Sequence, residues 1–483
     1  MAAIFPHQKQ YALGPRPVYV RPDWVSHRLS DAVVLSHCPR LQAVSLRTKD
    51  DVEFYLLGLA VSGDPDSSRS IADEFGLKIS AEIEEWTSCW SGRWLLISER
   101  VCYQDASGQL GLCQRHVAGE VWISSSPAIL GDHVPDAASA SRLPWMVVND
   151  RGMDWIPAPF TTREDVFRVL PLRSLDPRSG VTKPVRYAPP PGDGIGQLAK
   201  ILKAVMTNWA QTGFHKYYVG LTAGLDTRTV LAAAVGAGIK FKTYTTKYPF
   251  IAQCDATLPP RLAARAGTSH LLNQGFYAVD NADQRRTAMS EHMDGAIYAP
   301  SIKFYAQLGD DFLEDGGLSL AKGNCFEIGR CYYWGKFANQ AATPAGADDI
   351  LAAYRPYWNP EPMALWSDAL QHWIDSLSEP TPFQMDWRDR FYLEQRLGGW
   401  LSNNGTYPDV FDSTNFYPGN CLWVFDLLLR FDPARRQSSA VQHDIIKTLA
   451  PRLLDLPINP QPMKRRIKNV IRAVLRASTL RPG

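Results

Sequence analysis

The sequence predicts an α/β fold in two parts: a layered, β-rich N-terminal domain over residues 1–187, and a parallel-sheet α/β domain over 194–460 whose later part is helical. Three observations carry this reading. Before about residue 180 the apolar runs are short, aromatic and β-branched. The segment 188–194 (Ala-Pro-Pro-Pro-Gly-Asp-Gly) then interrupts the chain, and beyond it strand-like and helix-like stretches alternate.

Taken in order, the runs 52–61, 93–103 and 120–126 are 7–11 residues long and are separated by turn formers such as Asp105-Ala-Ser-Gly108, as strands stacked in layers require. Three consecutive prolines in 188–194 stop any regular element. Leu198, Ile201, Leu202, Val205 and Trp209 then recur at helical spacing, one face of an amphipathic helix. An apolar run at 217–221 leads into Thr222-Ala-Gly-Leu-Asp-Thr227 and an Ala-rich helical stretch at 228–237. A second strand-like run at 241–246 precedes a helical stretch at 255–266. Alternation of this length indicates βαβ units and a parallel sheet. From about residue 351 the reading is helical and Trp-rich.

Composition narrows the class. The 483 residues hold 51 Lys+Arg against 49 Asp+Glu, 45% hydrophobic residues, 15 Trp, 19 Tyr and 19 Phe, too many core-forming side chains for a disordered chain. Eight cysteines without a CxxC pair exclude the common zinc and redox patterns and fit the buried thiols of a reducing compartment. No run of 18 apolar residues and no basic-then-apolar leader occurs, so a cytoplasmic protein is expected. Residues 461–483 carry seven basic side chains and no acidic one, which leaves a mildly acidic body. With Ile467, Val470, Ile471, Val474 and Leu475 interleaved, this tail reads either as a terminal helix packed on the body or as a membrane-surface contact; nucleic acid is not expected.

The chemistry concentrates in Val219-Gly-Leu-Thr-Ala-Gly-Leu-Asp-Thr-Arg228. A strand entering a turn of small residues that opens a helix aims backbone N–H groups and the positive end of the helix dipole at one spot, where a phosphate can sit. Leu221, Thr222, Ala223, Gly224, Leu225, Asp226 and Thr227 form the candidate cradle. The Thr222 and Thr227 hydroxyls can donate, and Gly224 permits close approach. Asp226 would repel a phosphate and suits a Mg²⁺ ion bridging phosphates. An ordinary strand–turn–helix junction capped by Thr222 or Asp226 has the same pattern. Arg228, a cation in a helical first turn, fits a nearby anion.

This segment resembles the pyrophosphate loop Ser-Gly-Gly-x-Asp-Ser of the ATP pyrophosphatase superfamily, and its longer context resembles the synthetase domain of asparagine synthetase and its relatives. The supporting pieces, in order, are Leu231-Ala-Ala-Ala, Thr243-Tyr-Thr-Thr, the stretch opening at Asp255, and Ser269-His270. In the N-terminal part, Trp90-Ser-Gly-Arg-Trp-Leu-Leu-Ile, Asp105-Ala-Ser-Gly and Trp122-Ile-Ser-Ser-Ser-Pro are similar to the motif order of the family's glutaminase domain, an Ntn-hydrolase-like layered fold. That family's nucleophile is a cysteine directly after the initiator Met, where this chain has Ala2. The resemblance therefore implies a glutaminase-like domain without glutaminase activity.

ATP and Mg²⁺ are the cofactors the resemblance implies. ATP would place its pyrophosphate on 222–227 and its adenine near Leu221 and the 244–246 backbone, including Thr245. The family's second motif, G-x-G-G-D-E, matches Leu320-Ala-Lys-Gly-Asn-Cys-Phe-Glu, bringing in Gly323 and Glu327 while Phe326 stands in the Asp position. Mg²⁺ would then sit on Asp226 with Glu327, although Glu327 also reads as a surface glutamate paired with Arg330. A late family lysine that stabilises the departing pyrophosphate corresponds to Lys447, which equally reads as a solvated helix residue; Lys322 and Arg228 are further cations for that role. Asp226, Arg228 and Lys447 are thus the candidate catalytic set. Glu394, Arg396, Asp409 and Asp412 read either as a substrate pocket or as structural ion pairs. The implied activity is an ATP-dependent amidoligase that adenylates a small-molecule, peptide or glycan carboxylate, with ammonia or an amine displacing AMP. A catalytically degenerate ATP-binding partner protein is the alternative.

Overall fold

A computed structural model describes residues 5–67, 69–143, 155–247, 251–273, 282–294, 317–338, 343–344, 346–354 and 363–460. Short aromatic and β-branched runs become strands β1 (Tyr11–Gly14), β2 (Val25–Ser30), β3 (Val33–His37), β4 (Ala43–Arg47), β5 (Glu53–Ser62), β6 (Trp90–Ile97), β7 (Cys102–Gln104), β8 (Cys113–Val117), β9 (Glu120–Ser124), β10 (Val166–Arg168), β11 (Arg173–Leu175) and β12 (Thr182–Pro184). They form two antiparallel sheets, ordered β10-β8-β9-β1-β3-β2 and β12-β11-β7-β6-β5-β4. Leu13 and Leu35 of the first sheet meet Leu57, Leu95 and Ile97 of the second in one apolar layer. The β5–β6 ladder runs from Tyr55 opposite Ile97 to Ser62 opposite Trp90.

Strand β6 is buried along its whole length because its other face packs against a second core. That face carries Trp90, Trp94 and Leu96, and the helix Gly194–Trp209 supplies the opposing surface. Leu198, Ile201, Leu202, Val205 and Trp209, the residues at helical spacing, are all fully buried there, at about 2 kcal/mol apiece. The Asn208 side-chain amide donates to the Ser62 carbonyl at 2.8 Å, and the Trp209 ring stacks on Phe416 with centroids 5.3 Å apart. This helix joins the antiparallel layers to a five-stranded parallel sheet.

The parallel sheet contains β13 (Lys216–Gly220), β14 (Lys242–Thr246), β15 (His270–Asn273), β16 (Leu318–Ala321) and β17 (Thr414–Phe416), in the order β15-β14-β13-β16-β17. Helices Leu225–Ala237 and Gln253–Ala266 follow β13 and β14, as the alternating pattern requires. The chain is therefore a mixed α/β protein of antiparallel layers plus a parallel sheet.

The segment 188–193 carries no helix or strand, as its prolines require, and is anchored at its start, with the Ala188 carbonyl accepting from the Trp423 indole at 2.7 Å and its N–H donating to the Ser88 hydroxyl. One expectation about local structure is corrected. The helix expected from 228 begins at Leu225, because Gly224 is its N-cap and the acidic Asp226 suits the positive end of the dipole. In the later part, Tyr392–Leu401 is a π-helix. Ala2 and the basic segment 461–483 lie outside the described residues. Among the described residues no helix is long and apolar enough to cross a membrane.

Candidate functional site

Strand order reverses at β13. From it the chain proceeds outward to β14 and β15, then returns to build β16 on the opposite side. Connections leave this point in opposite directions, so a crevice stays open outside the carboxyl ends of the strands. A cavity of about 390 Å³ occupies it. Gly220 and Leu221 at the end of β13, Tyr244, Thr245 and Thr246 of β14, and Lys322, Gly323 and Asn324 after β16 contribute to its walls. Thr222, Gly224, Asp226 and Thr227 form its floor, with Asp255, Glu327 and Tyr407 also facing it.

The structure thus gathers Leu221, Thr222, Gly224, Asp226, Thr227, Thr245, Gly323 and Glu327 around one cavity. Ala223 is buried behind it, and Leu225 packs into the apolar cluster under the helix. Gly323 is required by close approach: a Cβ there would lie 2.6 Å from the Thr227 nitrogen and 2.8 Å from the Asp226 carbonyl carbon. The loop after β16 is consequently pressed onto the helix N-terminus.

The loop N–H groups already have acceptors. Thr222 N–H donates to Thr227 Oγ1 at 3.1 Å, Gly224 N–H to Thr222 Oγ1 at 3.2 Å, and Ala223 N–H to Asp255 Oδ1 at 2.7 Å. The two threonine hydroxyls are 2.9 Å apart. A carboxylate therefore sits on the anion-binding side of the turn, in the helical first turn that the sequence marks as opening with an Asp.

Asp226 does not stand alone. The Arg330 Nε donates to its Oδ1 at 2.9 Å and Nη2 to its Oδ2 at 2.6 Å, a bidentate pair. Burial and the nearby Glu327 carboxylate raise the Asp226 pKa, and Arg330 pulls it back down. Glu327 is half-buried on the cavity wall, where it accepts from the buried Tyr392 hydroxyl and interacts electrostatically with Arg330.

Arg228 and Lys447 do not reach the cavity. The Arg228 guanidinium is buried in a cage of carbonyls, donating to Leu453, Leu456 and Pro457 and back to Ala223 at 2.8–3.1 Å. Burial lowers its pKa to about 10. It binds the segment 453–457 to the loop instead of facing a ligand. Lys447 is exposed on the helix Ala440–Leu449, because that helix turns Val441, Ile445 and Ile446 inward. Lys322 does line the cavity, with its ammonium 5.0 Å from the centre of the Tyr407 ring.

The Mg²⁺ expected on Asp226 and Glu327 does not fit this arrangement. Both Asp226 oxygens accept from Arg330, and a Glu327 oxygen accepts from Tyr392. Phe326, standing where the family motif has Asp, is fully buried in the core against Gly419. Among the described residues no group of three or more His, Cys, Asp or Glu side chains is placed to hold a metal.

Other candidates resolve into structural pairs. Glu394 pairs with Arg390 at 2.9 Å and accepts from the Trp373 indole at 2.7 Å; Asp409 pairs with Arg93 at 2.7 Å; Asp412 pairs with Arg40 at 2.7 Å and Lys9 at 3.3 Å. The sequence reading did not assign Asn324, Tyr407 or Tyr392 to the site. Asn324 adjoined a motif, whereas the two tyrosines carried no signal at all.

No family model matches the chain, and no curated protein does. Solved structures give partial likenesses. Glutamine-dependent NAD+ synthetase from Acinetobacter baumannii, in complex with adenosine diphosphate, shares 17% identity at a TM-score of 0.19, over 30% of this chain and 27% of that one. NAD+ synthetase from Burkholderia pseudomallei shares 16% identity at 0.20, over 55% of this chain and 92% of that one. Glutamine phosphoribosylpyrophosphate amidotransferase from B. subtilis, complexed with ADP and GMP, shares 10% at 0.22, over 65% and 75%.

Proposed function

We propose that the cavity binds ATP and that the protein is an ATP-dependent ligase of the amidation type, adenylating a substrate carboxylate for attack by ammonia or an amine. One observation carries the reading: the loop that resembles a pyrophosphate loop opens onto a 390 Å³ cavity at the switch point of a parallel sheet. The nucleotide phosphates lie over the N-terminus of helix Leu225–Ala237, where the dipole favours them, and the base lies against Leu221 and Tyr244–Thr246. Lys322 faces the leaving pyrophosphate from the β16 loop. Seven of the eight cysteines are buried, and burial raises the thiol pKa of Cys421 to about 12 and of Cys331 to about 11, so these are not poised nucleophiles. In this reading ammonia or an amine is supplied from outside.

A second reading, a nucleotide-binding protein that has lost the transfer step, is favoured by the caged Arg228, the exposed Lys447 and the internal acceptors on the loop N–H groups. ATP–pyrophosphate exchange with a carboxylate panel, paired with ATP calorimetry, separates the two. Exchange with at least one carboxylate, lost by at least ~100-fold in Lys322→Met without a change in fold, supports the ligase. ATP binding without exchange supports the second reading, and absence of binding removes both.

A further inference from the structure

We propose that the Arg330 guanidinium is the resident counter-cation of Asp226, neutralising that cavity carboxylate as a divalent ion would, so that nucleotide phosphates bind without metal. The inference rests on the nucleotide reading of the same cavity.

An anion approaching the loop meets three carboxylates, Asp226, Asp255 and Glu327. Like charges at this range oppose binding unless a cation intervenes. Arg330 is built to do so. It ends the short turn Phe326–Arg330, which follows directly on the loop Lys322–Asn324, and that loop is pinned against the backbone of Asp226 and Thr227 at Gly323. The guanidinium is thereby held across from Asp226 and takes both carboxylate oxygens in parallel. A guanidinium is permanently charged and planar, so from behind the cavity wall its fork neutralises the Asp226 carboxylate that faces the ligand, while Lys322 is the cation in the lining itself.

The same geometry disfavours a metal. The Glu327 oxygen facing Tyr392 carries a hydrogen bond, and the side chain in the motif's Asp position, Phe326, is packed in the core where it cannot swing out. The carboxylate set is reduced, and a cation from the protein occupies the vacated electrostatic role. The Arg330 side chain is 30% exposed and lies outside the apolar core clusters.

Calorimetry of ADP binding to the full chain, in Mg²⁺ and in EDTA, tests this. The expected result is an affinity that agrees within about twofold between the two conditions. Arg330→Met should lose ~10-fold or more in EDTA and recover in Mg²⁺, because Asp226 is then open to the ion; Arg330→Lys should remain metal-independent. Titration with Mn²⁺ alone, read by electron paramagnetic resonance, should show no bound ion in the native chain and a bound ion in Arg330→Met. ADP binding that requires Mg²⁺, or Mn²⁺ bound to the native chain, overturns the proposal and leaves the nucleotide reading standing. Failure to bind ADP under either condition overturns both.

Discussion

Asp105 and Asp226 are both carboxylates drawn into turns, one in the antiparallel layers and one at the parallel sheet, and the fold answers them differently. Asp105 is fully buried and accepts the backbone N–H groups of Trp94, Ser107, Gln109 and Leu110 and the side-chain amide of Asn420, at 2.7–3.3 Å. Burial raises its pKa, and those hydrogen bonds pull it down. Asp226 faces a cavity and is met by one side chain, Arg330, from 104 residues further along. Backbone donors cannot be withdrawn without refolding the turn, so Asp105 is a fixture of the fold. A guanidinium held by its side chain alone neutralises a carboxylate that still faces the cavity. Saturation by backbone marks a structural acid, and a single side-chain partner marks one that can take part in binding.

The largest expected effect falls on the structural acid. Asp105→Ala orphans five buried donors and should lower unfolding stability by about 3–5 kcal/mol, read as a reduced urea midpoint at unchanged m-value. ADP affinity of the remaining folded protein should stay within about twofold. A variant as stable as the native chain would break the contrast with Asp226.

Acidification sharpens the contrast with a group that has few polar partners. His292 is buried beside His7 and Arg93, and His133 is half-buried beside His7, Asp132, Glu291 and Arg163, at the seam between the antiparallel layers and helix Ala282–His292. Burial lowers both pKa values below the usual 6.5, with the neighbouring His7 adding to it. Above 6.5 neither the folded nor the unfolded chain protonates these rings. Below it the unfolded chain binds protons that the folded chain refuses, so stability falls as pH falls, by up to about 1.4 kcal/mol per pH unit and histidine. Melting temperatures between about pH 7.5 and 5.5 should decline, and His292→Asn should flatten the decline.

The smallest effect is expected at Lys447. Its exposed position on Ala440–Leu449 predicts that Lys447→Ala leaves ADP affinity and melting temperature unchanged within error. A tenfold loss would return that lysine to the site.

Much of the cavity floor was legible in the sequence because it is local. Thr222, Gly224, Asp226 and Thr227 follow one another at the end of a strand, and backbone geometry alone brings them together. The acid at Asp255 and the close-packed Gly323 each carried a signal in a neighbouring motif. Arg330, Tyr392 and Tyr407 did not. Near Glu327 in sequence, Arg330 was weighed as its partner, yet it reaches past that residue to Asp226, while Glu327 is claimed by a tyrosine 65 positions away. Arg228 and Lys447 show the converse: a suitable charge at a suitable position in the chain, with side chains that packing turned elsewhere.

By itself the sequence determined where strands and helices alternate, that β-rich layers precede a parallel sheet, and which turn opens the helix after its first strand, since apolar period, prolines and small residues act over a few neighbouring positions. The tertiary structure alone decided which charges meet. Ion pairing depends on the distance between groups far apart in the chain, and it was there that Asp226 found the Arg330 guanidinium.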